Sequence, residues 1–434
     1  MRKAPLARAV TLAALGVSMT LPTLAHADFI NDSKASLELR NFYMNRDFRQ
    51  DGNPNPPAVT GKTGEFRSKS EEWAQGFLLR YESGYTDGTI GVGVDALGTL
   101  GVKLDSGRGT SGTGVLQVDR ETGRAQDSYG DLGVTAKLKA SKTTLKVGAL
   151  MPKVPVLQAN DSRLLPQIFQ GGQINSLDID NLTLDAGQLK RVNYRDSSDY
   201  EEMVINGGGR RNIVTTAGLT SDEFNFASGS YKWNDQLTTG YSYGNLDEFY
   251  KQHIVNLTHV LPLADKQALK SDIRYARSTD DGSHSNVDNK AFGAMFTYSL
   301  GGHAFGAGYQ RMSGDTGFAY VNVTDPFLVN YVQIGDFAAK DEKSWQLRYD
   351  YNFAAIGIPG LTFMTRYLNG DDVERAGGAN DGKEWERNMD IAYVFQDGPL
   401  KNVGLKWRNA TARSNFGNDL DENRLIVSYT VPLW

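Results

Sequence analysis

The chain has 434 residues, 40% hydrophobic, 22% charged and 10% aromatic, which excludes a disordered polypeptide. With no Cys and only five His, it cannot use thiolate catalysis, a disulfide framework or Cys-ligated zinc or iron–sulfur sites. A formal charge of −5 speaks against a nucleic-acid-binding face, and 47 Gly against 13 Pro favours tight turns over a proline-rich linker.

Residues 1–27 open with Arg2, Lys3 and Arg8, pass through an apolar run over 9–15 and end Ala25-His26-Ala27. A charged start, a short apolar stretch and an A-x-A site predict a cleaved secretory signal peptide, with 28–434 as a single mature domain. Losing those three cations leaves 43 basic against 51 acidic residues, a net of −8. No other stretch approaches the ~18 uninterrupted apolar residues of a spanning helix. The exported chain is then a soluble protein or a transmembrane β-barrel.

Period-2 alternation recurs along the mature chain and predicts strands rather than helices. Over 344–353 one face reads Trp, Leu, Tyr, Tyr, Phe and the other Ser, Gln, Arg, Asp, Asn. Leu361, Phe363 and Tyr367 alternate with Thr362, Met364 and Arg366, and a last apolar row runs from Leu425 to Leu433. Trp434 ends the chain one residue out of phase with that row. Segment 151–177 interrupts the pattern: Pro152, Pro155 and Pro166 remove ladder donors, so it reads as a loop folded into a lumen. Within it Arg163 offers a planar fork for a carboxylate, and Asp161 and Ser162 narrow the passage.

Short breaks at 232–235, 263–266, 299–303, 356–360 and 396–402 alternate with long polar ones at 245–251, 278–290, 313–343, 369–383 and 413–423. One rim of tight turns and one of long loops is the pattern of an outer-membrane barrel. At about 20–25 residues per strand and its connections, the mature length predicts roughly 16–20 strands. A barrel that wide keeps an aqueous channel. A soluble β-sandwich or β-helix shares the weak per-strand signal and stays open here.

Alternation also sorts the cations. Arg348 and Arg366 fall on in-facing positions of neighbouring strands, and Lys406 and Arg408 alternate with Leu405 and Trp407. Arg424 is out of phase with Leu425 and Val427, as Arg40 is with Leu37 and Leu39. These six basic side chains come together when the first strand pairs with the last. Cations on a water-filled wall select anions. The bland alternative has them solvated, or paired with lumen acids such as Asp350 and Asp390.

Several strings are similar to members of the OprD porin family. They are Leu39-Arg40-Asn41-Phe42-Tyr43-Met44-Asn45-Arg46-Asp47-Phe48, Asn160-Asp161-Ser162-Arg163-Leu164-Leu165-Pro166-Gln167 and Tyr309-Gln310-Arg311-Met312-Ser313-Gly314-Asp315. Ser344-Trp345-Gln346-Leu347-Arg348-Tyr349-Asp350, Ile358-Pro359-Gly360-Leu361-Thr362-Phe363-Met364, Gln396-Asp397-Gly398-Pro399-Leu400 and Glu422-Asn423-Arg424-Leu425-Ile426-Val427 complete the set. They span nearly all of the mature chain in the family's order. The resemblance implies an 18-stranded all-β, antiparallel transmembrane barrel with inward-folded constriction loops and a narrow eyelet. It also implies passive uptake of small carboxylate-bearing nutrients along a basic ladder. By the same resemblance, 325–336 is an opposing inward loop with Asp336 as its acidic eyelet residue. Pro326 and Tyr331 depart from relatives that carry small hydroxyl residues there.

The competing class is a barrel enzyme or an adhesin. An enzyme needs a base beside a nucleophile, and the mature chain offers only His253, His259, His284 and His303, which read as loop, turn-flanking or strand residues. Asp280-Asp281-Gly282 and Asp371-Asp372 lack the spaced ligands of an EF-hand loop. No catalysis, metal or cofactor is therefore expected. The expected partners are anionic or zwitterionic carboxylates, outer-membrane lipid and lipopolysaccharide, and the barrel-assembly machinery during biogenesis. No nucleic-acid partner is expected, and the chain is a monomer or a loose homotrimer.

Overall fold

In the computed structural model, the described residues are 26–49, 67–107, 109–119, 121–206, 210–216, 218–374, 378 and 381–434. The predicted leader lies outside them up to residue 25, and a short helix, His26–Asn31, precedes the first strand. Among the described residues eighteen strands form the wall: β1 Lys34–Phe48, β2 Lys69–Glu82, β3 Gly91–Asp105, β4 Ser128–Ala140, β5 Thr143–Leu150 and β6 Ile168–Ser176. They continue as β7 Leu182–Asn193, β8 Phe224–Lys232, β9 Leu237–Leu246, β10 Tyr250–Ala264, β11 Gln267–Asp280 and β12 Asp288–Leu300. The last six are β13 His303–Ser313, β14 Lys343–Asn352, β15 Leu361–Val373, β16 Gly382–Val394, β17 Gly404–Ser414 and β18 Leu420–Pro432.

Each strand pairs antiparallel with its chain neighbours, and β1 pairs with β18 from Ser36↔Pro432 to Phe48↔Leu420, which closes the sheet. Closure satisfies every edge, the condition for spanning a bilayer with strands. The two-residue segment Tyr200–Glu201 extends the ladder only at the end of β7.

Burial is inverted relative to a soluble sheet. On β14, Trp345 and Leu347 are 41% and 58% exposed, while Ser344 and Gln346 are 1% and 3% exposed. Apolar side chains at alternate positions face outward, where lipid covers them, and polar ones face a crowded interior. Trp434 follows the end of β18: its carbonyl accepts from Ala35 N–H (3.2 Å) and its Nε1 donates to Ser33 Oγ (3.2 Å).

Two sequence expectations change. Segment 151–177 is not all loop, because Ile168–Ser176 is β6; its alternation is weak because Gly171 and Gly172 replace side chains. Nor is 245–251 a long break, since 247–249 alone joins β9 to β10. Phe249 N–H donates to Leu246 O (2.9 Å) and Glu248 takes φ 63°. Its polar residues sit at the rim, not in an extended loop. The rim asymmetry itself holds: turns such as 265–266 and 301–302 face connections such as 106–127, 151–167, 194–223 and 314–342.

Candidate functional site

Described residues of these four long connections pack inside the barrel, and wall carboxylates hold two of them, 106–127 and 314–342, by their backbone. Glu72 on β2, fully buried, accepts from the N–H groups of Gly112 (3.1 Å) and Thr113 (3.1 Å). Gly112 and Gly114 there take φ of 93° and 77°, a region that favours glycine. Glu386 on β16 accepts from Ile334 N–H (3.1 Å) and Gly335 N–H (2.7 Å). Gln310 on β13 donates to the carbonyls of Asp336 (3.2 Å) and Phe337 (2.7 Å). Apolar loop residues such as Leu116 and Leu164 then bury against Phe42 and Leu78 of the wall, so loops fill much of the lumen.

The 151–167 loop starts with a small hairpin pairing Lys153 with Gln158 and turns back on itself where Gln167 N–H donates to Asn160 O (2.7 Å). Asn160 is fully buried. Its Oδ1 accepts from Ser162 N–H (3.1 Å), Ser162 Oγ (2.9 Å) and Arg195 Nη1 (2.9 Å), and its Nδ2 donates to Asp325. Asp325 N–H returns a bond to Gln158 O (2.9 Å) and its carboxylate accepts from Tyr331 OH (2.8 Å). Ser162 and Tyr331 thus sit in one network spanning both constriction loops.

All six cations read as a ladder lie on the lumen side of the wall, on β14, β15, β17, β18 and β1. Arg348 is opposite Arg366, and Arg408 opposite Arg424. Arg40 is largely occupied by the loop: it donates to Asp161 (2.7 Å) and to the carbonyls of Arg163 (2.9 Å) and Leu164 (3.3 Å), with Glu38 behind it. Arg424, 1% exposed, donates to Glu422 (2.6 Å), Ser162 O (3.5 Å) and Gln333 O (3.0 Å), touching both constriction loops. Arg348 makes a two-pronged bond to Asp350 (2.7 Å each), and Lys406 and Arg408 share Asp390 at 3.4 and 3.0 Å. Arg366 differs: its Nε donates to Asn388 Oδ1 (2.6 Å), and among the described residues it has no ion-pair partner.

Between the inward loops and the wall is a cavity of about 390 Å³ lined by Arg46, Arg163, Arg195, Arg366, Arg408 and Arg424, with Asp325, Asp336 and Tyr331. Six guanidinium groups and two carboxylates line it; Glu422 behind the lining pairs with Arg46 and Arg424, and Asp390 with Arg408, which leaves the lining basic in an acidic chain. Arg163 donates to Thr113 O (3.3 Å) and Ser162 O (3.1 Å), so its fork is held by carbonyls rather than by acids. Asp336 is engaged by Arg211 and by Tyr320 OH (2.9 Å). Burial pushes the Asp336 carboxyl up, but Arg211 and Arg210 outweigh it and hold the carboxyl below its ordinary value. Burial raises Asp325 instead. Arg348 and Lys406 lie away from this cavity, on the wall beside it.

Sequence reasoning missed Arg46, Arg195 and the loop-holding glutamates. Arg46 carried a usable signal, since it shares the in-facing parity of Arg40 on one strand. Arg195 lies beyond the end of β7, where no periodicity sorts its direction. Glu386 was legible only as an in-facing polar residue; its bonds to loop amides depend on the fold.

Residues 27–433 match the family described as outer membrane porin, OprD family. The chain belongs to the OprD family. It is 39% identical over 426 residues to the porin-like protein GalP of Pseudomonas putida, covering 97% of each chain. It is 36% identical to Porin D of Pseudomonas aeruginosa, covering 93% of this chain and 92% of that one. Among solved structures, Pseudomonas aeruginosa OpdQ superposes with a TM-score of 0.85 at 67% identity, covering 94% of this chain and all of that one. A BenF-like porin from Pseudomonas fluorescens gives 0.86 at 42% identity over 93% and 100%. This OprD-family member is therefore an outer-membrane porin, a solute channel rather than an enzyme.

Proposed function

We propose that this porin admits small carboxylate-bearing solutes, amino acids and organic or aromatic acids among them, by passive diffusion through the eyelet. One observation carries the reading: six arginines against two aspartates around a cavity of about 390 Å³. Guanidinium forks suit the planar carboxylate, and several weak cationic positions in series allow a solute to enter and leave. Arg40, Arg348, Arg366, Lys406, Arg408 and Arg424 form the wall. Arg163, Asp161, Ser162, Tyr331 and Asp336 form the constriction. Residues 1–27 serve as the leader removed on export.

The test is Lys406→Gln with Arg408→Gln, which removes charge while keeping hydrogen-bonding capacity. Liposomes carrying the double variant should take up benzoate and glutamate more slowly than wild type, and planar bilayers should show reversal potentials shifted away from anions. Wild-type carboxylate flux with an unchanged reversal potential would sink the reading while leaving the barrel intact.

A further inference from the structure

On the outward face, at the ends of β11–β14 next to the long loops, four cations stand across four consecutive strands. Arg277 and Lys290 are directly opposite each other across β11 and β12, and Arg311 and Lys343 across β13 and β14. Like charges directly opposite on one face are destabilising, and two such pairs adjoin here. Arg277 is taken up by Asp288, and Lys343 by Asp372 (2.6 Å). Lys290 and Arg311 are exposed and, among the described residues, have no ion-pair partner.

Two residues toward the middle of the wall, each of the four strands carries an outward aromatic. Tyr275, Phe292, Tyr309 and Trp345 are each 40–41% exposed, and they pair as Tyr275↔Phe292 and Tyr309↔Trp345. Such a row marks the membrane–water interface. The cations are about 7 Å beyond it along the strands, at headgroup level. Lys290 is opposite Ser313 rather than Arg311, so the second pair is offset by two residues along the tilted strands. At about 4.8 Å per strand the patch is about 14 Å wide.

The opposite seam is built differently. There the outward cations have acids beside them: Arg413 and Arg49 each contact Asp421 at 2.8 Å, and Lys69 contacts Glu71 at 2.8 Å. Lys383 and Arg387 on β16 are also outward and, among the described residues, have no ion-pair partner, but they lie along one strand; the cations of β11–β14 are opposed across strands. The opposed cations of β11–β14 face outward, away from the pore.

We infer that this patch is a binding site for a phosphorylated glycolipid of the outer leaflet. One phosphate lies between Lys290 and Arg311, a second contacts the flanking Arg277 or Lys343, and the acyl chains run down over the aromatic row. The loop-bearing rim of such barrels is the outer one, so the charged headgroup and the cations are at the same level. An anionic phosphate between Lys290 and Arg311 neutralises the two cations of the patch that Asp288 and Asp372 leave without an acid.

The test uses full-length protein refolded in a neutral detergent and titrated with lipid A carrying two phosphates, with its monophosphoryl form and with phosphatidylcholine, followed by native mass spectrometry. At about 1 kcal/mol per surface cation, Lys290→Gln with Arg311→Gln should weaken bisphosphorylated lipid A about thirty-fold. Phosphatidylcholine binding should not change, and the monophosphoryl form should bind wild type more weakly than the bisphosphorylated one. Lys383→Gln with Arg387→Gln, outward changes on β16, should leave lipid A binding as in wild type. Heat-modifiable gel mobility confirms that each variant is folded, and single-channel conductance should be unchanged in both. Equal lipid A affinity in wild type and the β12–β13 variant would overturn the site, as would equal loss in the β16 variant. A wild-type oligomer that the variant dissociates without lipid would also overturn it, in favour of self-association.

Discussion

Asn160 and Asp325 join the two loops that narrow this pore, the first from the connection after β5 and the second from the one after β13. The Asn160 amide donates to the Asp325 carboxylate while its carbonyl oxygen holds Ser162 and Arg195. One fully buried side chain thereby sets the distance between the loops and the aim of an eyelet arginine. Because these contacts converge on it, the two loops are tied into one hydrogen-bonded network.

Asn160→Ala should therefore loosen the constriction. Leaving Asp325 and Arg195 without this buried partner costs about 1–3 kcal/mol. Single-channel recordings should show higher mean conductance and more frequent brief closures than wild type, with the barrel still folded by heat-modifiable mobility. An unchanged, quiet channel would show that the network does not control the opening.

Glu386 offers a test of how the second loop is held. Its carboxylate accepts two loop amides, from Ile334 and Gly335, and the side-chain amide of Asn388 (2.6 Å). Glu386→Ala strips all three and should release 314–342, increasing conductance and exposing the loop to added protease. Glu386→Gln retains one acceptor oxygen and should fall between the two. Protease resistance equal to wild type in the alanine variant would refute the anchoring role.

The Asp336–Arg211 pair makes the same loop acid-sensitive. Asp336 has its carboxyl pKa below the ordinary value in the folded protein. Its contribution to stability is thus complete above the ordinary carboxylate value, near 3.9, and is lost as pH falls through the lowered one. Cleavage of 314–342 by an acid-active protease should rise in wild type only in that acidic window. Asp336→Asn should already be cleaved readily at neutral pH, with a flatter dependence below. A parallel acid response in both proteins would assign the sensitivity elsewhere.

Much of this architecture is legible in the sequence because period 2 sorts side chains without knowing the partners. Trp345 against Gln346, and Leu405 against Lys406, declare their faces from spacing alone, and chain closure follows once the first and last strands are recognised. The loops are less legible. Arg195, Asn160 and Glu72 act through backbone amides and side chains far away in the chain, and no periodicity encodes such contacts. Polar residues at the loop rim also mislead: 245–251 looks like a loop because strand ends beyond the membrane no longer need apolar outward positions. Arg40 shows the limit inside the wall itself, since alternation aims it inward correctly but leaves its bonds to the Asp161 loop unseen.

Asp390 gives the sharpest test of the wall because its effect should have the opposite sign to that of its neighbours. It is on β16 directly opposite Arg408, and its Oδ2 accepts from Arg408 Nε (3.0 Å) and lies 3.4 Å from Lys406 Nζ. One carboxylate therefore partly neutralises two of the cations offered to a passing solute. Asp390→Asn keeps the shape and a hydrogen-bond acceptor but removes the negative charge. If the wall selects by charge, this variant should be more anion-selective than wild type, by about twofold in permeability ratio for a partly exposed pair. Arg408→Gln should move the ratio the other way. Both are read as reversal potentials across a salt gradient, with raised ionic strength shrinking both shifts by screening. Shifts of the same sign in the two variants would mean that pore shape, not charge, dominates selection at this wall.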